Sequence, residues 1–160
     1  MSPSAVVIGV GNIYRQDDGA GPAAVDLLRE SVSPPGVTFA VCDGEPSRLI
    51  ELWSRSELAI VIDALSVRSP RPGAIHRLDI EAVEASAEPP STSHGLGLGT
   101  AVRLARELDR MPERLIVYAI EIEEYGFGPR MSGPVQRAVE HVAEHVWADL
   151  AELAAERIAA

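Results

Sequence analysis

Asp18, Asp63 and His94 are the residues of this 160-residue chain whose types and settings could do chemistry together. Asp18 is the second of two adjacent carboxylates that follow a glycine-broken loop and precede a helical pattern. Asp63 lies near the end of an apolar run, and His94 stands in a glycine-rich stretch at the lip of another helical pattern. Two carboxylates and an imidazole form a donor set for a first-row transition metal that leaves positions open for water or substrate. Such a metal polarises a carbonyl and lowers the pKa of bound water. Each residue also has a plain structural reading: a helix cap for Asp18, a hydrogen-bonded turn for Asp63, a loop contact for His94. Independent caps need not meet at one place, so the elements that carry the three residues decide between the readings.

The first of these elements is the opening run. Val6, Val7 and Ile8 show no polar alternation and read as a strand buried on both faces, as in the middle of a parallel sheet. Gly9 and Gly11 break it, a polar loop follows, and Pro22 fits the first turn of a helix whose apolar face begins at Ala24, Leu27 and Leu28. Val37 to Cys42 is a second strand, Pro46 opens a second helix, and Leu58 to Leu65 is a third strand whose continuity again predicts burial. Ala74 to Ile80 alternates like an edge strand, and residues 81–90 form a polar surface connection. A helix follows His94, Arg114 to Ile120 is another buried strand that releases Glu121, Glu123 and Glu124 at its end, and a long amphipathic helix starts near Gly133. Residues 126–129 form a glycine-rich loop with Phe127. The alternation predicts one α/β domain over residues 1–160, a three-layer αβα sandwich. Its twisted, mainly parallel sheet has about five strands, with helices on both faces. Open sheets of this kind place ligands at the carboxyl edge, where Asp18 and Asp63 would both lie.

Composition narrows the function classes. A formal net charge of −10 disfavours nucleic-acid and anionic-membrane partners and suits a cationic or metal-bearing ligand. One cysteine, Cys42, excludes an internal disulfide and points to a reducing, cytoplasmic setting. No secretory leader and no bilayer-spanning stretch is apparent. The apolar stripes can all be used on the chain's own sheet, which predicts a monomer.

Three tempting motifs are set aside. Gly9 and Gly11 suggest a dinucleotide fingerprint, but Tyr14 occupies the third glycine's place and carboxylates at the helix start repel phosphate. The segment from His141 to His145 matches the H-x-x-E-H pattern of inverted zinc peptidases, yet its histidines flank an apolar stripe and no third ligand follows. Cys42 at the end of a buried strand reads as a small core hydrophobe rather than a nucleophile.

The residues also carry a family resemblance. Gly9, Val10, Gly11 and Asn12, the acidic pair with Gly19 and Gly21, the strand ending in Asp63, and Ser93, His94, Gly95, Leu96 and Gly97 together resemble the maturation endopeptidases of nickel-iron hydrogenases. The match runs through most of the chain in order and spacing. It implies that Asp18, Asp63 and His94 are both the metal-binding and the catalytic residues, and that the substrate is a nickel-loaded precursor of a hydrogenase large subunit, cut near its C-terminus. Nickel would then be supplied by the substrate rather than held as a resident cofactor, and no organic cofactor is implied. Asp17 and Asp43 are possible general bases, with loop stabilisation as the competing role of each. Two departures stand out. Asp43, Gly44, Glu45 and Pro46 replace the family's frequent Asp-Gly-Gly-Thr, adding charge where substrate choice is at stake, and Asp18 is shorter than the glutamate of some relatives. The rival reading is a non-catalytic metal- or precursor-binding chaperone that uses the same cleft.

Overall fold

Every residue of β1 (Ala5–Val10) is buried, as an apolar run without alternation requires when a sheet is covered on both faces. The computed structural model describes residues 4–79, 95–123 and 126–160. The remaining elements follow in order: a 3-10 turn (Gln16–Gly19), α1 (Ala20–Arg29), β2 (Val37–Cys42), α2 (Pro46–Trp53), β3 (Leu58–Leu65), β4 (Ile75–Asp79), α3 (Gly95–Glu107), β5 (Arg114–Glu121) and α4 (Gly133–Ala159). The five strands form one sheet in the order β2-β1-β3-β5-β4. All pairings are parallel except that of β4 with β5, so the expected mainly parallel α/β sandwich is the architecture found.

Strand parity divides the core in two. Val7, Ile60, Ile62, Tyr118 and Ile120 face α1 and α4, whereas Ile8, Val10, Val61, Leu115 and Val117 face α2 and α3. Successive side chains of a strand point to opposite faces, so Asp63, following Ile62, turns toward the α2/α3 layer. Among the described residues no helix is long and apolar enough to cross a membrane.

The sequence assigns the end of β5 differently from the structure. β5 does not release Glu121 to solvent: the ladder runs one residue further, Glu121 donates its backbone N–H to the Ala74 carbonyl at 2.9 Å, and its side chain is buried. Leu65 of β3 stands abreast of Glu121, and Ala74 immediately precedes the antiparallel strand β4. The alternating segment is otherwise the expected edge strand over Ile75–Asp79. Its last expected residue, Ile80, and the connection at 81–90 lie outside the described residues.

Helix α1 meets the sheet backbone to backbone. A Cβ on Gly21 would overlap the carbonyl oxygens of both Ile62 and Val10, and one on Gly9 would overlap the Gly21 carbonyl. Gly21→Ala is expected to lower stability by about 3 kcal/mol or more, because neither strand's backbone can rotate away as a side chain could. Gly99 on α3 has nothing within 4 Å of a built Cβ. Gly99→Ala should therefore raise stability by up to about 1 kcal/mol. Urea unfolding followed by circular dichroism compares the two, and equal midpoints would contradict the close approach.

Candidate functional site

The loop from Gly11 to Arg15 climbs from the end of β1 and returns as the 3-10 turn, which packs against β3. Gly11 has φ +147°, and a side chain there would run into the Asp18 carbonyl, so the loop folds tightly over the turn. The Asp18 carboxylate, 1% exposed, accepts a hydrogen bond from the Asn12 backbone N–H at 3.0 Å. The carboxylate is thereby fastened to the residue that follows Gly11, at the carboxyl edge of β1.

Asp63, also 1% exposed, lies near the end of the neighbouring strand and accepts from the Ala64 N–H at 2.8 Å. Its charge reaches the Cys42 thiol, since Cys42 ends β2 directly abreast of Val10. Thus Asp18 and Asp63 come to the carboxyl edges of adjacent strands, where a parallel sheet concentrates its ligand sites. His94 lies outside the described residues. The helix it precedes, α3, packs on the α2/α3 face and ends near the start of β5, with the Arg110 N–H donating to the Ala105 carbonyl. A 13-residue helix that ends at the amino edge starts toward the carboxyl edge.

The two acidic neighbours have different work. Asp17, fully buried, accepts from the Ser132 N–H at 2.7 Å, the Ser132 hydroxyl at 3.0 Å and the Glu123 N–H at 3.2 Å. It ties the 3-10 turn to the start of α4, which is the loop-stabilising role and not that of a base facing substrate. Asp43 accepts from the Glu45 N–H at 3.1 Å in a local turn. Glu45 itself is the N-cap of α2: its carboxylate accepts from the Ser47 and Arg48 N–H groups and from the Ser47 hydroxyl. The Ser47 hydroxyl bond first, then the backbone donors, hold the Glu45 carboxyl below its ordinary range. The residue that departs from the family pattern therefore starts a helix.

Above the edge, two loops are laced together. The Gln16 N–H donates to the Gly128 carbonyl at 2.8 Å, the Gly128 N–H to the Tyr14 carbonyl at 2.7 Å, and the Arg15 guanidinium lies 5.4 Å from the Phe127 ring centre. Ile13, Tyr14 and Phe127 are left exposed on this rim.

The decoys resolve simply. His141 and Glu144 are exposed on α4 and 3.7 Å apart, while His145 stacks on Tyr118 with ring centres 6.0 Å apart. Cys42 is buried, and desolvation pushes its thiol above the ordinary range, the opposite of what a nucleophile needs. A cavity of about 350 Å³ lined by Arg77, Glu113, Arg114 and Asp149 opens at the amino edge, away from the two carboxylates. Its two arginines are already engaged, Arg77 with Asp149 and Arg114 with Glu156. Sequence reasoning missed two residues at the carboxyl edge, Glu121 and His76, which the antiparallel pairing of β4 brings beside each other.

An open, mainly parallel sheet with helices on both faces defines a protein of the doubly wound α/β class, whose ligand sites lie beyond the carboxyl ends of the strands. Comparison with known proteins is more specific. Residues 22–149 match the family described as HycI, hydrogenase maturation protease, and the chain belongs to that family of endopeptidases of hydrogenase maturation. The match opens just after Asp18 and spans Asp63 and His94. The structure resembles the hydrogenase maturating endopeptidase HybD from E. coli, with a TM-score of 0.79, 26% identity and 92% of each chain covered. The fold is also that of the [NiFe] hydrogenase maturation protease HybD from Thermococcus kodakarensis, with a TM-score of 0.70, 24% identity, and 89% of this chain and 95% of that one covered. Hydrogenase expression/formation protein HupD of Thiocapsa roseopersicina is 25% identical over 151 residues, which are 90% of this chain and 68% of that protein.

The Asp17 ties generate a prediction. Asp17→Asn keeps the shape but turns an amide donor toward donors, and is expected to cost about 1–3 kcal/mol. Hydrogen exchange at the Ser132 and Glu123 amides should accelerate before the sheet does. Unchanged protection at both would show that Asp17 does not hold this loop.

Proposed function

We propose that this protein removes a short C-terminal extension from the nickel-loaded precursor of a nickel-iron hydrogenase large subunit, and that Asp18, Asp63 and His94 recognise the nickel carried by that substrate. The observation that supports this most directly is the placement of two buried carboxylates at one sheet edge, Asp63 near the carboxyl end of β3 and Asp18 in the turn fastened beyond the end of the adjacent β1, within a chain of the maturation protease family. Carboxylate oxygens with an imidazole suit a first-row divalent ion and leave coordination positions for groups the substrate already provides.

The reading gives each part of the chain a task. Asn12 fixes the Asp18 carboxylate through its backbone N–H, so this donor is set before substrate arrives. Gly11 and Gly21 let the turn and α1 approach the strand ends closely enough to bring the two carboxylates to one edge. Docked against them, the nickel would fix the register of the precursor chain and so choose which peptide bond meets water. Cleavage consumes one water and frees the tail. The net charge of −10 suits a cation-bearing substrate and disfavours nucleic acid. We place the reaction in the cytoplasm with the protein as a monomer, because its apolar helix faces are used on its own sheet and its one cysteine needs no oxidising compartment.

Asp18→Asn, Asp63→Asn and His94→Ala are each expected to slow processing of nickel-loaded precursor at least about 100-fold. Nickel-free precursor should remain uncut by the unaltered protein. Mass spectrometry of the large subunit before and after incubation measures both. A truncated product from all three variants at the normal rate would overturn the site assignment, and an intact precursor bound by the unaltered protein would favour a chaperone.

A further inference from the structure

Asp63, Ala119 and His76 stand directly abreast on β3, β5 and β4, so their side chains share the face that α2 and α3 cover. Two strand spacings put the Cα atoms of Asp63 and His76 roughly 10 Å apart. Between them on β5 stands the small, fully buried side chain of Ala119, with a carboxylate on one side and an imidazole on the other. Glu121 lies one pleat further out on the same face. Its side chain is 8% exposed, and its Oε2 atom is buried with no hydrogen-bond donor.

A buried carboxylate oxygen without a donor is costly, and sites that tolerate one commonly use it. Two basic side chains lie beside it, His76 with Nε2 at 3.5 Å and Arg71 with Nε at 3.8 Å. Arg71 is 79% exposed and its charge is solvated, whereas the His76 side chain is 37% exposed, with Nε2 toward Glu121. A carboxylate thus stands behind the imidazole at ion-pair rather than hydrogen-bond distance, close enough to favour a positive charge on the ring.

We propose that His76 is the general base of the proteolytic reaction and that Glu121 is the residue that positions it. The proposal rests on the endopeptidase reading above and adds the proton acceptor that Asp17 and Asp43, both occupied in loops, do not supply. As the oxygen of water bonds to the scissile carbonyl carbon, His76 Nδ1 takes one of its protons. Glu121 offsets the charge on the imidazolium. The same proton then passes to the departing amide nitrogen as the C–N bond breaks, leaving a carboxyl group on the subunit and an amine on the tail.

The test compares the unaltered protein with His76→Gln, Glu121→Gln and the double variant on nickel-loaded precursor. Single-turnover cleavage is followed by mass spectrometry, precursor binding by calorimetry and stability by thermal melting. His76→Gln is expected to slow cleavage about 100-fold or more while binding and melting stay unchanged. Glu121→Gln should slow it less, and the double variant should cut no more slowly than His76→Gln alone, since Glu121 acts only through the imidazole. Because β4 is an edge strand, the ring should be removable without loss of the fold, and His76→Asn provides a second truncation. Cleavage at the unaltered rate by either histidine variant overturns the proposal while leaving the nickel-recognition reading intact. So does a double variant whose loss is the product of the two single losses, or a loss of rate matched by loss of binding and melting. If the unaltered protein binds the precursor and never cuts it, the endopeptidase reading fails and this proposal with it.

Discussion

The constraint on which the rest depends is the contact between the first turn of α1 and the ends of β1 and β3, where backbone touches backbone across Gly9 and Gly21. A helix held off the sheet by ordinary side chains sits about 10 Å from it. Removing two Cβ atoms lets α1 drop onto the strand ends and pulls the preceding turn, with Asp17 and Asp18, down to the level of Asp63. The buried carboxylates are thus a consequence of packing that has nothing to do with charge. Their desolvation is offset locally, by the Asn12 N–H for Asp18, the Ala64 N–H for Asp63, and three donors for Asp17.

From this contact the two sides of the sheet take different roles. The α1/α4 side is held by apolar packing with a polar clasp at its margin, where the Tyr118 hydroxyl donates to Asp149 and Arg77 bonds both. Burial first, then the hydrogen bond to Asp149, push that phenol up to about 12. The α2/α3 side carries the polar residues of the carboxyl edge. Asp63, His76 and Glu121 all fall on it by strand parity. One side is closed by apolar packing and the other carries the polar groups of the carboxyl edge, a division that follows from the alternation of side chains along every strand.

Much of this was legible in the sequence because parallel strands buried on both faces must be written as unbroken apolar runs. The runs of β3 and β5 are legible to within a residue, β1 continues two residues past Ile8 through Gly9 to Val10, and Asp63 stands out as a charge inside such a run. Glu121 obeys the same rule but was assigned to the loop beyond β5, since its burial depends on a hairpin-like partner, β4, that lies some forty residues earlier and alternates weakly. His76 was invisible for the same reason: a histidine in a half-exposed strand gains meaning only from what stands beside it. The adjacent pair Asp17 and Asp18 could not be ranked from sequence, because the donors that separate their roles come from Glu123 and Ser132 at the far end of the chain. His94 lies outside the described residues, so its place at the site remains the expectation that motif and helix start support.

Glu45 draws together sequence divergence and architecture. In a protease that must tell one client from another, a charged residue near the cleft looks like a selectivity feature, yet here the side chain is committed to nucleating α2. A lineage that changed this position to suit a new client would have to find another way of beginning that helix. The exposed side chains of Ile13 and Tyr14 on the rim have no such helix to begin, so change there costs the fold less.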